Sequence, residues 1–337
     1  MDPTLGFLVL ILIVILALLF DYVNGFHDAA NAIATLVSSK ALPPKQAVIY
    51  GAILNFSGAL MGEEVAATIG KGLVDQTDVT LPVILVALVA GICWNVLTWY
   101  LGLPTSSSHA LMGSLLGAAF FASPTGKDHI HWVNFFEKVI QPMFGSPLLG
   151  LMLGFLMMTF LAWMFFRVKL NTVNRVFKKS QLVSSGFLAI SHGMNDAQKS
   201  MGIIALALVI FYHIPASEFS VPLWVKIACA TMMGLGTLTG GWKIIHTLSK
   251  KMIRLQPIYG FAAEATSASI ILLASQFGIP LSTTQVISSS IMGVGATKRL
   301  SAVKWGIVQN ILWAWVLTIP LTFLFAGLLI YVFKLFF

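Results

Sequence analysis

Asp28 sits in the run Gly25-Phe26-His27-Asp28-Ala29-Ala30-Asn31, and a second acid sits in a similar run, Gly193-Met194-Asn195-Asp196-Ala197-Gln198-Lys199, in the other half of the chain. A further pair of runs carries hydroxyls: Gly102-Leu103-Pro104-Thr105-Ser106-Ser107-Ser108-His109 and Gly278-Ile279-Pro280-Leu281-Ser282-Thr283-Thr284-Gln285. All four lie in strongly apolar sequence, where ionisable groups are expensive and mark ion or substrate paths. A duplicated acid can hold a proton or a metal cation. Duplicated hydroxyls that follow a proline stand at helix starts, where free backbone N–H groups and the positive end of the helix dipole suit a tetrahedral oxyanion. The plainer readings are polar contacts between helices for the acids and N-caps for the hydroxyls.

Together the motifs constrain one another. Asp28, Asp196 and a third acid in apolar sequence, Glu264, repel any anion held by Ser106–Ser108 and Ser282–Thr284. At an effective dielectric of 20, two unit charges about 4 Å apart interact by ~4 kcal/mol. The anion must therefore arrive with a cation or proton, for which the acids are ligands or acceptors. On helices, Asp28, Asn31 and Thr35 share one face, as do Asp196, Lys199 and Ile203. Ser106, His109, Gly113 and Gly117 form a small or polar stripe, matched by Ser282, Gln285, Ser289 and Gly293. Such stripes let a partner helix approach closely.

The elements that must position these residues are membrane helices. The chain is 58% hydrophobic and 9% charged, against about a quarter charged in soluble domains. Ten apolar runs of spanning length are expected, five per half: one from near Leu5, then roughly 45–70, 79–101, 105–122, 144–166, 182–212, 222–247, 258–277, 281–297 and 306–333. The first run has Asp2 in front and ends at Asp21 without a small-residue cleavage site, which predicts a retained helix rather than a signal peptide. Cys93 and Cys229 are solitary in apolar runs and read as packing residues.

The net charge of +8 is topological. From an external N-terminus, the internal loops hold Lys40, Lys45, Arg167, Lys169, Arg175, Lys178, Lys179, Lys243, Lys250, Lys251, Arg254, Lys298, Arg299 and Lys304, and no acid. The external set is Lys71, Lys127, Lys138, Lys226 and Lys334 with Asp2, Asp75, Asp78, Asp128, Glu137 and Glu218. Positive charge on the inside thus places both termini outside and argues against nucleic acid as a partner. The expectation is an all-α polytopic membrane protein of two inverted-topology repeats of about five segments each. Residues 1–166 form one repeat and 182–337 the other, joined by a basic cytoplasmic connection, 167–181, that shows no apolar period. Asn24-Gly25 and Ser191-His192-Gly193 are expected to break their helices, and the Gly-x-Pro turns to precede short or re-entrant ones. With no Walker pattern and no large polar domain, energy comes from an ion gradient or from passive flow.

Asn24–Thr35, Trp94–His109, Ser191–Gly202 and Pro280–Ser290 resemble the four signature blocks of the inorganic phosphate transporter (PiT) family, and the resemblance extends over nearly the whole chain. It implies a secondary transporter, not an enzyme, that imports inorganic phosphate with sodium or protons across the cytoplasmic membrane, without an organic cofactor. By position, Asp28, Asn31, Asn195 and Asp196 match the family's acidic and amide residues. Thr105–Ser108 and Ser282–Thr284 match its hydroxyl clusters, Trp94 and Asn95 the block before the first cluster, and Glu264 an acid associated with the cation. Sodium is a candidate at Asp28, Asn31, Asp196 and Glu264. His27 replaces the usual Asn, as in bacterial low-affinity members, and is either a proton carrier or a structural residue; Gln285 stands where His is usual. Lys199 reads as the counter-ion of Asp196 in preference to a phosphate contact. The competing readings are a passive anion channel and a carrier of another tetrahedral oxyanion. More remote is an intramembrane aspartyl hydrolase, for which Gly25-Phe26-His27-Asp28 lacks the Gly-x-Gly-Asp form. Lipid surrounds the chain on any of these readings, and a homo-oligomer is left open.

The charge asymmetry yields the first prediction. In a cysteine-free background, Lys179→Cys should react with an impermeant thiol reagent only from the cytoplasmic side and Asp78→Cys only from outside. Labelling of both from one side would defeat the topology.

Overall fold

The computed structural model describes residues 3–75, 79–122, 124–246, 256–298 and 304–336. Asp2, Asp78, Lys250, Lys251, Arg254 and Arg299, used above to read the topology, lie outside them. The described residues are helical apart from turns and one isolated bridge, Val74 to Ile130. The first half comprises α1 (Pro3–Ser38), α2 (Pro44–Ala59), α3 (Glu64–Gly72), α4 (Leu81–Leu101), α5 (Ser107–Ala122), α6 (Trp132–Phe135) and α7 (Gln141–Met164), with a π turn at Phe136–Ile140 between the last two. The second comprises α8 (Leu170–Tyr212), α9 (Leu223–Thr239), α10 (Trp242–His246), α11 (Pro257–Gln276), α12 (Thr283–Ala296) and α13 (Trp305–Phe336).

Each of the ten apolar runs contains a helix, but only six helices among the described residues are long and apolar enough to span a bilayer. The runs at 45–70, 105–122, 222–247 and 281–297 yield α2, α5, α9 and α12, of 16, 16, 17 and 14 residues. At 1.5 Å per residue these fall short of a hydrocarbon core about 30 Å thick. Large apolar side chains on α1, α7 and α13, among them Leu8, Phe144, Trp163 and Leu324, are exposed, as a lipid-facing surface requires. This is a multi-pass membrane protein.

Two expectations are corrected. Asn24-Gly25 and Ser191-His192-Gly193 break nothing, because α1 and α8 run unbroken through them for 36 and 43 residues. Their glycines serve helix contact instead. A Cβ on Gly25 would collide with the backbone at Met233 and Gly236 of α9, and one on Gly193 with the backbone of Asn55 in α2. The connection at 167–181 is also mostly helix, since α8 begins at Leu170. Val173 and Phe177, one turn apart and buried, supply the apolar period that the five basic residues obscure, with Phe177 packed on Phe165 and Phe261 at ring distances of 5.2 Å.

The duplicated acidic helices cross in opposite directions. Phe7 meets Phe211 (6.1 Å), Asp21 meets Ser200 (2.7 Å) and Ser39, just past α1, meets Gln181 (2.7 Å). Neighbours are exchanged between the halves in matching ways. α2 packs on α8 through Gly58 against Ile190, and α9 on α1 through Gly236 against Tyr22. The stripes of α5 and α12 receive the last helix of the opposite half: Gly117 abuts Phe323 of α13, and Gly293 abuts Leu151 of α7.

α4–α5 and α11–α12 are hairpins, and each hydroxyl cluster is at a buried tip, as the expected re-entrant geometry requires. Gly102 and Gly278 take φ of 67° and 64°, the left-handed conformation that closes a helix. In both turns the next amide, Leu103 or Ile279, bonds the carbonyl of Thr98 or Ala274 (2.9 Å each). α3 lies against the second tip through Thr68 Oγ1 to Gly278 O (2.7 Å), and α10 against α4 near the first tip through Lys243 Nζ to Tyr100 O (3.2 Å).

Candidate functional site

After each turn a serine starts the next helix. Ser106 Oγ accepts from the amide of His109 (3.1 Å) and Ser282 Oγ from that of Gln285 (3.3 Å), the N-cap bond that satisfies a free helix-end donor. Ser107–Ser108 and Thr283–Thr284 consequently occupy the first turns of α5 and α12, where the middle of α1 and α8 meets them.

The contacts form one buried network. Thr284 Oγ1 donates to Asp28 Oδ1 (3.1 Å) and accepts from Asn31 Nδ2 (2.8 Å), while Thr283 Oγ1 donates to Asp196 Oδ2 (3.2 Å). Lys199 Nζ bonds Asp196 Oδ1 (2.6 Å), Leu281 O (3.3 Å) and Ser108 Oγ. His27 places Nδ1 2.8 Å from Asp28 Oδ1 and Nε2 3.1 Å from Thr98 Oγ1, to which Thr105 Oγ1 donates (3.0 Å). Every one of these side chains is buried. Asp28 thus has an imidazole of its own and Asp196 an ammonium of its own, unlike a carboxylate pair sharing one proton.

Three liganding groups, from Asp28, His192 and Asp196, lie within 4.8 Å of one another, close enough to grip a single cation. Several buried polar atoms of His192 and of the duplicated runs have no hydrogen-bond partner in the protein: Asn31 Oδ1, Ser107 Oγ, His192 Nε2 and Gln285 Oε1. Buried polar groups are nearly always satisfied, so such orphans point to groups that bind from outside the protein.

Other expected residues stand apart. Glu264 is held by Gln181 Nε2 (2.9 Å) and by Ser184, both of α8, and is not in the Asp28–His192–Asp196 group. Asn195 turns to Ser275 Oγ (2.9 Å) and Ile279 O (3.3 Å), steadying the second hairpin turn. Asn95 is buried with neither amide atom bonded.

His192, expected from sequence only as part of a helix break, sets Nε2 3.4 Å from Asp196 Oδ2 and Nδ1 3.1 Å from Asn55 Oδ1. Its signal was present: it precedes Asp196 by four residues, one helical turn on the same face, and Asn24 holds the matching place before Asp28. Thr98 stands one turn after Asn95 on α4, a weak signal, and Asn55 belongs to no duplicated run.

A buried, charged network at the tips of two helical hairpins, inside a bundle of membrane helices, is the architecture of a membrane transporter. A model of the phosphate transporter family matches residues 24–326, and the chain belongs to that family. It is 46% identical over 314 residues to a probable low-affinity inorganic phosphate transporter of Bacillus subtilis (strain 168), covering 93% of each chain. It is 44% identical over 329 residues to one of Rhizobium meliloti (strain 1021), covering 97% of each. Among solved structures, one described as the sodium-dependent phosphate transporter superposes with a TM-score of 0.90 at 24% identity, covering 98% of this chain and 100% of that one. The fold is shared, and the family is one of transporters, not enzymes.

The Lys199–Asp196 pair gives a prediction of its own. Removing one member of a buried ion pair costs about 3–5 kcal/mol because a bare charge remains. Lys199→Met should lower the thermal stability of the detergent-solubilised protein sharply, and adding Asp196→Asn should recover most of the loss. Equal stability of Lys199→Met and wild type would show that the pair is not a charge pair.

Proposed function

We propose that this chain imports inorganic phosphate across the cytoplasmic membrane by symport with a cation, sodium or a proton. The observation that carries the reading is the pair of bonds from Thr284 to Asp28 and from Thr283 to Asp196. The hydroxyls suited to an oxyanion and the carboxylates suited to a cation are bonded to one another in one buried network. An anion can take the hydroxyls from the carboxylates only if positive charge takes their place there, so binding of the two ions is mutually dependent.

In this reading phosphate is bound by Thr105, Ser106, Ser107, Ser108, Ser282, Thr283 and Thr284, with the two capping serines orienting the helix N-termini. The coupling ion is held at Asp28, Asn31 and Asp196, with His192 added to the set. Asn195 shapes the second hairpin turn. His27 positions Asp28 and carries the charge when the coupling ion is a proton; the sodium dependence named for the structural neighbour favours sodium. Lys199 is the counter-ion of Asp196, Asn95 and Gln285 are supporting residues, and Glu264, held by Gln181 and Ser184, stands outside the cation set. The two halves, 1–166 and 182–337, are inverted repeats with both termini outside. The antiparallel crossing of α1 and α8 and the matched exchange of neighbours support this. The phosphate transport named for the bacterial relatives supports phosphate over another tetrahedral oxyanion.

Anion and cation ligands should separate on mutation. A hydrogen bond to a charged group contributes roughly 1.5–3 kcal/mol, so Ser107→Ala or Thr283→Ala should lower phosphate affinity on the order of tenfold to a hundredfold at saturating cation. Asp28→Asn should instead flatten the dependence on the cation. Equilibrium phosphate binding across sodium and pH titrations reads both effects. Wild-type affinity of the Ala variants at every cation concentration would make the hydroxyls mere caps and remove this site.

A further inference from the structure

Asp21 lies outside the network described above. It is fully buried on α1, two turns before Asp28 on the same face. Its Oδ1 accepts from Ser200 Oγ at 2.7 Å, and its Oδ2 has no partner. Ser200 follows Asp196 by one turn of α8 and is bonded in sequence to Lys199. The Asp21–Ser200 contact is therefore the next step along the same antiparallel crossing that brings Asp28 to Asp196. α9 contributes Cys229, buried against the carboxyl, and α4 contributes no Asp, Glu, Lys, Arg or His. The charged groups that act on Asp21 from α8 are Asp196 and Lys199, and these are bonded to each other. Asn24, one turn further along α1, is buried with both amide atoms unpartnered and is not bonded to Asp21, and the buried residues close in sequence to Asp21, Ser200 and Cys229, namely Ala17, Phe20, Met201, Ala230 and Met233, are apolar.

A carboxylate with no cation beside it in the membrane interior costs several kcal/mol. One hydroxyl and a thiol are a poor shell for sodium, which as a hard cation needs several oxygens, whereas the bare Oδ2 needs only one hydrogen. We propose that Asp21 is a second, separate ion site of this protein that binds a proton on Oδ2, and that the binding is linked to the phosphate and cation site through Lys199, Asp196 and Ser200. The linkage is electrostatic. When arriving ions redistribute the charge of the Lys199–Asp196 pair, the field at Asp21 one turn away changes, and so does its hold on the proton. The linkage, though not the site, rests on the function proposed above.

Infrared difference spectroscopy of the protein in lipid tests both parts. The wild-type minus Asp21→Asn spectrum at neutral pH should contain the C=O stretch of a protonated carboxylic acid, and adding inorganic phosphate with sodium should shift or diminish it. Ser200→Ala, which keeps Asp21 but removes the hydrogen bond to Oδ1, should move the same band to higher frequency and serves if Asp21→Asn fails to fold. Calorimetry on the same samples reports phosphate binding independently, so failure of the proposed function is seen apart from failure of this site. A difference spectrum with only ionised carboxylate bands would overturn the proton site. A protonated band unmoved when phosphate binds would overturn the linkage.

Discussion

Asp28 and Asp196 are two carboxylates buried in the middle of a membrane protein, and their ligand atoms fall in one group with His192 spanning no more than 4.8 Å. Neither can be left ionised there without positive charge or hydrogen-bond donors, and both together repel by an amount comparable to a large share of a domain's stability. His27 answers for one and Lys199 for the other, and Thr284 and Thr283 complete their shells. Those threonines are also the first helical residues after the second hairpin turn, the place best suited to an oxyanion. Satisfying the acids in the resting state therefore occupies the groups that an anion would need. Exchange of one arrangement for the other is a physical route to coupled binding.

The fold holds these groups in place by exchanging helices between halves. α2 braces the acidic helix of the second half, α9 that of the first, and α7 and α13 brace the opposite hydroxyl helices. At each contact a glycine admits the partner backbone where any side chain would collide, as Gly58 does at Ile190 and Gly236 at Tyr22. Lipid offers no hydrophobic drive for helix association, so close backbone packing of this kind carries much of the cohesion. α3 and α10, short helices of different halves, each lie beside the hairpin of the opposite half.

Much of this was legible in sequence because membrane burial makes polar residues conspicuous. The duplicated Asp and Ser/Thr runs are the ones that meet in one buried network, and Gly102-Leu103-Pro104 with Gly278-Ile279-Pro280 marked both turns. The glycines in the acidic runs misled for a definite reason. In a soluble context a glycine in a polar run suggests a break, but within the membrane Gly25 and Gly193 are sites of helix contact in uninterrupted helices. The start of α8 was hidden by charge, since Val173 and Phe177 were outnumbered by basic neighbours. Glu264 shared the acidic character of the site residues, but only tertiary structure could show that Gln181 and Ser184 hold it elsewhere. His192 and Asn55, which face each other across α8 and α2, likewise depend on a contact between halves.

The central claim is that phosphate cannot enter the chamber without a cation to compensate Asp28 and Asp196. Uptake of labelled phosphate into proteoliposomes, with sodium and proton gradients imposed separately and then together, tests it most directly. Accumulation above the external concentration under at least one inward cation gradient, abolished in Asp28→Asn and Asp196→Asn, is the expected result. Equilibration of phosphate to equal concentrations on both sides, at the same rate under every gradient and in both variants, would contradict it.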